Sequence, residues 1–288
     1  MKSLAFIKRS NGTHWVGDGF PVKNLFSYRD IAAEMSPFLL MDYAGPTEFP
    51  PTDRQLGVGQ HPHRGFETVT LVYSGGVSHR DSAGGGGSIG PGDVQWMTAG
   101  SGVLHEEFHS PDYARQGGPF EMVQLWVNLP ARAKMTAPAY QAIGATAIPE
   151  LALPGSAGSA RIVAGQFGET HGPARTFTPM NVWDLRLNAR RRVALELPDG
   201  HGAALFVLRG ELSIDSTHRV HAAELAVFER QGRGIVFETG ADTVVLLLSG
   251  EPLDEPIVGH GPFVMNSEAE IRQAYADFRA GHFGTFTN

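Results

Sequence analysis

The sequence predicts an all-β protein with two domains, and three features of the chain carry this prediction. Glycine and proline are frequent, at 36 and 19 of the 288 residues, and this favours many tight turns. Short runs rich in β-branched and aromatic residues recur between these turns, at intervals of roughly 8 to 12 residues. A length of 288 residues suggests two domains at about 150 residues each.

The first series of predicted strands lies in the first half of the chain. Each run is rich in Val, Leu, Phe or Tyr, and glycine or a Pro-Gly-Asp turn separates it from the next. A glycine run at 84–87 is interpreted as a hairpin loop, because no phosphate-binding sequence or helix follows it. The predicted strands are 66–73, 77–79, 94–97, 103–108 and 122–128.

Residues 131–180 are rich in Ala, Pro, Gly and Thr and are interpreted as a link between two halves, with one strand at 161–167. A second series of strands follows, with a similar order and only weak similarity of residues. Two related barrels are therefore expected, one formed by residues 1–135 and the other by residues 136–288. The strands of the second series are 182–187, 192–197, 204–208, 211–214, 224–228, 234–238 and 243–248.

A helix is predicted near the end of the chain. Residues 267–270 form a Ser-x-x-Glu capping box, which is typical of a helix start. Ile271, Tyr275 and Phe278 then share one helical face. Gly281 can end the helix, so we expect a short C-terminal helix that packs on a barrel.

The composition excludes several classes of protein. Cysteine is absent, which excludes a disulfide scaffold, a thiolate metal site and a cysteine nucleophile. The formal net charge of −7 gives no general attraction for nucleic acid or an anionic membrane. Arg190-Arg191-Arg192 is interpreted as a solvated strand end. The apolar stretch 4–7 is shorter than a signal-peptide core, and no window approaches a membrane span, so a cytoplasmic protein is expected.

Two short patterns among the 12 histidines point to a metal site. His61 and His63 are two residues apart, and on a strand such side chains point to the same face, about 7 Å apart along the chain. His105 and Glu107 have the same spacing, and Glu106 would point away. Three imidazoles and one carboxylate suit Fe(II), Mn(II), Cu(II), Ni(II) or Zn(II).

Each pattern alone also fits histidines that are exposed or hydrogen-bonded on a strand. Chance gives about 0.5 His-x-His pairs in a chain of this composition, so one pair is weak support. His109 shares the phase of His105, but Ser-Pro follows it and the strand should end there. His79 and Glu67 are alternatives for a supporting role, and Glu67 could also be a ligand.

Four ungapped stretches resemble the pirin family, a branch of the cupin superfamily. They span most of the chain, and their sequences are HPHRGFETV (61–69), PGDVQWMTAGSGVLHEE (91–107), QLWVNLP (124–130) and GHGPFVMN (259–266).

The resemblance implies a bicupin, with two double-stranded β-helix (jelly-roll) barrels and one mononuclear iron in the N-terminal barrel. It assigns the ligand roles to His61, His63, His105 and Glu107. Many other cupins take the carboxylate from the first motif, which here would be Glu67; the pirin assignment leaves Glu67 in a supporting role. Fe(II) is therefore expected, although Mn, Co, Ni, Cu and Zn stay open.

The second half lacks this set of ligands. His201 lies where a first cupin motif would fall, but it has no histidine partner two residues away. His218 and His221 are three residues apart, which suits a turn. The resemblance likewise implies a C-terminal barrel without metal.

The resemblance also implies an activity. Similar bacterial proteins are quercetin 2,3-dioxygenases, which open the flavonol ring with dioxygen and release carbon monoxide. Glu107 is then the expected catalytic base for the flavonol 3-hydroxyl. A small aromatic substrate and dioxygen would be the partners. Apolar residues near the motifs are candidates for the pocket wall or for the barrel core: Phe66, Trp96, Met97, Leu104 and Phe108.

A different function is the alternative. Some pirins are described as regulators that bind protein partners, and the iron would then set a redox-dependent surface. A protein partner therefore stays open, whereas direct contact with nucleic acid or a membrane is not expected. Sugar isomerisation, known from other cupins, is disfavoured by the pirin motifs.

Overall fold

The computed structural model describes residues 1–10, 12–215 and 217–286, and strands dominate them. The prediction of an all-β protein is confirmed. In the first half the strands are β1 (Leu4–Arg9), β2 (Thr13–Val16), β3 (Phe20–Phe26), β4 (Phe38–Phe49), β5 (Gly57–His63), β6 (Phe66–Ser74), β7 (Val77–Asp81), β8 (Gly86–Ile89), β9 (Val94–Thr98), β10 (Val103–His109), β11 (Gly118–Asn128) and β12 (Ala139–Ile143).

The strands of the second half are likewise short and are separated by tight turns. They are β13 (Glu150–Leu153), β14 (Gly158–Ala164), β15 (Gln166–Phe167), β16 (Thr170–His171), β17 (Met180–Leu187), β18 (Arg192–Glu196), β19 (Gly202–Arg209), β20 (Glu211–Ile214), β21 (His218–His221), β22 (Glu224–Phe228), β23 (Gly234–Thr239), β24 (Thr243–Gly250), β25 (Val258–His260) and β26 (Phe263–Met265). The helices are α1 (Ala32–Met35), α2 (Pro111–Gln116) and α3 (Glu268–Arg279).

The interpretation of 131–180 as a link was wrong in part. Strands β12 to β16 lie in this segment, and β12 extends the sheet of β9 while β14 pairs with β17. The segment is short of the Val and Ile that signal strands, because its strands lie at or near sheet edges and its turns are frequent.

The described chain forms two compact units, each with a seven-stranded and a four-stranded sheet. Unit 1 comprises Met1–Ser10, Ala33–Pro37 and Thr146–Leu253. Its sheets have the orders β1-β22-β19-β24-β17-β14-β13 and β18-β23-β20-β21. Its core is filled by aliphatic and aromatic side chains, including those that β18 and β23 direct inward: Val193, Leu195, Ile235 and Phe237.

Unit 2 comprises residues 12–32, Phe38–Ala145 and 254–286. Its sheets have the orders β12-β9-β6-β11-β4-β3-β2 and β5-β10-β7-β8. The four-stranded sheet thus has the same sequential order of strands as that of unit 1. An apolar cluster fills one part of the interior, with Phe20, Val72, Phe120 and Met122 among its members.

The contiguous domains expected at 1–135 and 136–288 are wrong at both ends of the chain. Strand β1 pairs with β22 and so belongs to unit 1 with the C-terminal strands. Helix α3 belongs to unit 2, where Asp277 accepts a hydrogen bond from Arg64 at 2.7 Å. Local sequence patterns cannot predict that β1 and α3 belong to these units, because both contacts are made with partners about 200 residues away in the sequence.

Helix α3 begins and ends as its sequence predicts. Ser267 is the N-cap of the helix, and its side chain accepts a hydrogen bond from the backbone N–H of Glu270. Ile271 is buried in an apolar cluster with Phe263 and Phe283. Gly281, with φ of +78°, follows the last turn. Among the described residues, no helix combines the length and the apolar character needed to cross a membrane.

Lys134 ties three segments of unit 2 together, and this generates a prediction. Its buried Nζ donates to the carbonyls of Gly65 and Val264 and to Oδ1 of Asn128, at 2.7 to 2.9 Å. Lys134→Met leaves these buried acceptors without a donor and should lower the free energy of unfolding by about 3 kcal/mol in urea titrations. The control Lys23→Met, at a half-buried site on β3, should change it by less than about 1 kcal/mol. Equal effects would contradict the anchoring role.

Candidate metal centre

The pairing of β5 with β10 brings the two sequence patterns together. His61 lies directly opposite His105, and His63 lies opposite Val103, in an antiparallel register. The register shifts before Glu107, which lies opposite Val58. Because alternate residues of a strand share a face, both patterns present their side chains to the interior of unit 2.

Three imidazoles converge there. Potential ligand atoms of His61, His63 and His105 all lie within 4.8 Å of one another. The ring centroids are 4.2 Å apart for His61 and His105, and 4.8 to 4.9 Å apart for the other two pairs. His63 and His105 are buried, whereas His61 is partly exposed.

Hydrogen bonds orient these rings and leave nitrogen atoms available. Nδ1 of His61 lies 2.8 Å from the carbonyl of Gly59, and Nδ1 of His63 lies 3.3 Å from the carbonyl of Pro262. A carbonyl only accepts, so each Nδ1 carries the proton and each Nε2 keeps its lone pair in the neutral ring. Nε2 of His105 is buried and has no hydrogen-bond partner among the described residues.

The buried imidazoles are held in the neutral form that a metal ligand requires. Burial lowers the pKa of His63 well below its usual value, and the neighbouring His61 lowers it further. Burial likewise lowers the pKa of His105, with further contributions from His61, His63 and His79. The rings of His63 and His105 can therefore lie close together without electrostatic repulsion between them.

Glu107 lies in a second, overlapping group. Potential ligand atoms of His79, His105 and Glu107 are also within 4.8 Å of one another. Oε1 of Glu107 accepts a hydrogen bond from Nε2 of Gln95 at 2.6 Å, and Oγ1 of Thr70 lies 3.4 Å from the same oxygen. Both contacts are made by Oε1, so Oε2 is left to contact a cation. The two groups share His105, and this arrangement suits a single ion.

A chain of hydrogen bonds supports His105 from behind. Oδ2 of Asp81 lies 3.1 Å from Nε2 of His79, and Nδ1 of His79 lies 3.4 Å from Nδ1 of His105. The carboxylate accepts the proton on Nε2 of His79, and Nδ1 of His79 accepts from Nδ1–H of His105. This order of donors leaves the lone pair of His105 on Nε2, the buried atom without a partner.

Asp81 is ionised in this chain. Burial alone would raise the pKa of Asp81, but hydrogen bonds from His79 and from the backbone N–H groups of Gly85 and Ala83 hold it below its usual value. His79 also stacks on Tyr140, with ring centroids 4.9 Å apart. His79 therefore takes the supporting role that the sequence left open, although its position in the second group also allows it to contact an ion.

The donor set fits a divalent transition metal. Imidazole nitrogen and carboxylate oxygen are its usual ligands, and both kinds of donor occur in the two groups that share His105, whose buried Nε2 has no partner among the described residues. Glu106 does not contribute, because its carboxylate accepts hydrogen bonds from the exposed Arg80, at 3.0 Å from Nε. Neighbouring residues of β10 thus point to opposite faces, as the sequence predicts.

Glu67 is not part of this centre. Oε1 of Glu67 accepts a hydrogen bond from Thr98 at 2.8 Å, and the two residues are cross-strand neighbours on β6 and β9. Thr70 and Gln95, which contact Glu107, are three residues away on these strands and so face the other side of the sheet. The supporting role assigned to Glu67 from the sequence is therefore wrong.

His109 is a structural residue. Its Nε2 lies 2.9 Å from the carbonyl of Gly19, and its ring packs against Phe49 and Phe120 with centroids 4.6 and 4.8 Å away. Of the apolar residues considered for the pocket, Phe66 lies beside the centre, at 5.1 Å from the His63 ring.

The other apolar candidates have different positions. Trp96 shares the face of Thr98, away from the centre. Leu104 packs against the apolar cluster of the C-terminal segment. Met97 packs with Ala99 and Val103 in the core.

Comparison with known proteins shows the family of this chain. Residues 19–127 match the pirin family, and residues 182–284 match the pirin C-terminal cupin domain. The chain belongs to the pirin family. Its two units are therefore the two cupin domains of a bicupin, which confirms the fold predicted from the sequence.

Some relatives of this chain are named for a dioxygenase activity. A Pseudomonas aeruginosa protein named "Putative quercetin 2,3-dioxygenase" is 54% identical over 283 residues, covering 98% of this chain and 99% of its own. The crystal structure of quercetin 2,3-dioxygenase from Acinetobacter baumannii has a TM-score of 0.96 and 52% identity, with all of both chains covered. A pirin-like protein of Caulobacter vibrioides is 37% identical and covers 88% of this chain and 89% of its own. This member of the pirin family is thus similar over nearly its whole length to proteins named for quercetin 2,3-dioxygenase activity.

The supporting residues were missed in the sequence, although pirin-like stretches contain two of them. Gln95 lies within the stretch 91–107, and Pro262 lies within 259–266. Asp81 follows His79 by two residues on β7, a spacing that could have identified it once the strand was known to extend that far. Thr70 gave no signal, because threonine is common in strands for packing alone.

The position of Glu67 leads to a prediction about pH. Burial raises the pKa of Glu67 from 4.5 to about 7. The folded protein therefore holds a proton that the unfolded chain releases, so this stabilisation is full below about pH 4.5 and is lost as the pH rises through about 7. Wild type should therefore lose about 2 kcal/mol of its free energy of unfolding between pH 5 and pH 8 through this residue. Glu67→Gln should not show this loss, and the amount of bound metal should stay the same. The exposed control Glu48→Gln should change neither, and loss of metal from Glu67→Gln would return Glu67 to the ligand set.

Proposed function

We propose that this pirin is a metal-dependent dioxygenase that opens the flavonol ring of quercetin with dioxygen and releases carbon monoxide. The observation that carries the proposal is the convergence of three imidazoles, from His61, His63 and His105, beside the carboxylate of Glu107, with the pKa values of His63 and His105 lowered by burial. Similarity over the full chain to proteins named for this activity supports the same assignment.

The ligands in this proposal are His61, His63, His105 and Glu107, holding one divalent transition metal. Fe(II) is our choice, because mixed imidazole and carboxylate ligands suit it and the pirin resemblance implies it. Mn, Co, Ni, Cu and Zn have the same ligand preferences and are therefore included in the test. A bound metal would supply Lewis acidity and a template for the deprotonated flavonol and dioxygen.

Glu107 is the proposed catalytic base for the 3-hydroxyl of the flavonol. A base must lie within hydrogen-bond reach of the proton that it takes, and Oε2 is the oxygen that Gln95 and Thr70 leave without a hydrogen bond. Gln95 fixes the orientation of the carboxylate through the bond to Oε1. Asp81 and His79 hold His105 in the tautomer that presents Nε2 to the centre.

A turnover assay with matched variants tests the proposal. Protein prepared without oxygen is loaded with each metal in turn, and air is then admitted with quercetin while the flavonol absorbance and carbon monoxide are followed. Wild type should bind one metal per chain and consume quercetin. Glu107→Gln should lose at least 100-fold in turnover, because a positioned base contributes about 10²- to 10⁴-fold. Glu106→Gln, which changes the neighbouring outward-facing carboxylate, should retain both.

Each outcome decides between the functions. Turnover with at least one metal, lost only in Glu107→Gln, would support the dioxygenase. One metal per chain without turnover by any metal would reject the dioxygenase and favour a regulator that binds a protein partner. Failure of the protein to bind any metal would reject the centre itself.

A further inference from the structure

A row of polar residues crosses the inner face of the seven-stranded sheet of unit 2. The backbone register places Gln95 opposite Thr70, Thr70 opposite Gln124, Gln124 opposite Asp42, and Asp42 opposite Asn24. These five residues, from strands β9, β6, β11, β4 and β3, are called the polar row. The row begins at Glu107, which contacts both Gln95 and Thr70.

Hydrogen bonds along the row have a fixed direction. Tyr140 donates to Oε1 of Gln95 at 3.2 Å, and Nε2 of Gln95 donates to Glu107 and, at 3.0 Å, to Oγ1 of Thr70. The Thr70 hydroxyl therefore donates its single proton onward, and Oε1 of Gln124 accepts it at 2.7 Å. Because Oε1 of Gln124 faces Thr70, the amide nitrogen of Gln124 points away from Thr70 and remains able to donate a hydrogen bond.

Asp42 offers the matching acceptor. Nδ2 of Asn24 donates to Oδ1 of Asp42 at 2.7 Å, while Oδ2 has no hydrogen-bond partner among the residues that the structure describes. Gln124 and Asp42 are direct cross-strand neighbours, whose side chains lie about 5 Å apart at their Cβ atoms. A free N–H donor beside a free carboxylate oxygen complements a hydroxyl group, which both accepts and donates.

This part of the inner face is partly accessible to solvent. Gln124 and Asp42 are partly exposed. Their neighbours in sequence, Val123 and Tyr43, lie on the opposite face of the sheet and are buried. Trp126 follows Gln124 by two residues on the same face and is also partly exposed. Its ring lies 5.2 Å from that of His63, so the open face adjoins the metal centre.

We propose that Asp42 and Gln124 determine substrate specificity by binding a hydroxyl group on the part of a flat aromatic substrate that is remote from the metal centre. The inference rests on the proposed function, because the other end of the same molecule would reach Glu107. Neighbouring strands are about 4.8 Å apart, so the backbone of Asp42 lies about 10 Å from that of Thr70. A molecule of two or three fused or linked rings spans this distance.

Binding of two flavonols without turnover tests the inference. The full chain is loaded with Zn(II) and kept without oxygen, and dissociation constants are measured by quenching of protein fluorescence. Quercetin has hydroxyl groups on its outer rings, and 3-hydroxyflavone has only the one at the centre of the molecule. Wild type should bind quercetin at least tenfold more tightly, as expected when a hydrogen bond to a charged group is added.

Asp42→Asn keeps an oxygen for Asn24 and should bring the ratio of the two dissociation constants close to one by weakening quercetin alone. Gln124→Met, which removes the donor, should also lower the ratio and decides the outcome if Asp42→Asn does not fold. Glu48→Gln, an exposed carboxylate on the same strand, should leave the ratio unchanged. An unchanged ratio in the first two variants, or equal weakening of both flavonols, would overturn the inference.

The test separates this inference from the proposed function. Quercetin turnover by wild type, with no change of the binding ratio in the variants, would reject the polar row as a specificity element and leave the dioxygenase in place. A changed binding ratio with no turnover by any metal would reject the dioxygenase and leave a binding site for hydroxylated aromatic compounds.

Discussion

The antiparallel pairing of β5 with β10 is the constraint on which the metal centre depends. It sets His61 opposite His105 and, with the strand alternation, turns three imidazoles inward. A shift of one residue in β10 would exchange its inner and outer faces, so that Glu106 would replace Glu107. The hydrogen bonds of the β5–β10 ladder therefore fix the chemistry of the site as well as the shape of the sheet.

Polar side chains inside a barrel are stable only when their hydrogen bonds are satisfied. In unit 2 the chain Asp81-His79-His105 and the polar row meet this requirement and end on groups that remain free to bind. Unit 1 has the same sequential order in its four-stranded sheet, but its paired strands direct apolar side chains inward. The same architecture thus supports an apolar core in one unit and a cluster of polar side chains in the interior of the other.

Local rules account for what the sequence could predict. Strand alternation brought His61, His63, His105 and Glu107 to one face, and the capping box placed the start of helix α3. The position of Glu67 required knowledge of which face of β6 is internal, and no local pattern contains it. Pairing of β1 with β22 and the attachment of α3 to unit 2 depend on contacts distant in sequence, as does the hydrogen bond from His63 to Pro262.

Diffraction at the iron absorption edge, from crystals of the Fe(II)-loaded protein, tests the central claim most directly. The account predicts one anomalous peak per chain, at about 2.1 Å from ligand atoms of His61, His63, His105 and Glu107. A peak bound by His79 and Glu107, with His61 and His63 out of reach, would contradict it. So would a peak whose ligands all lie in unit 1.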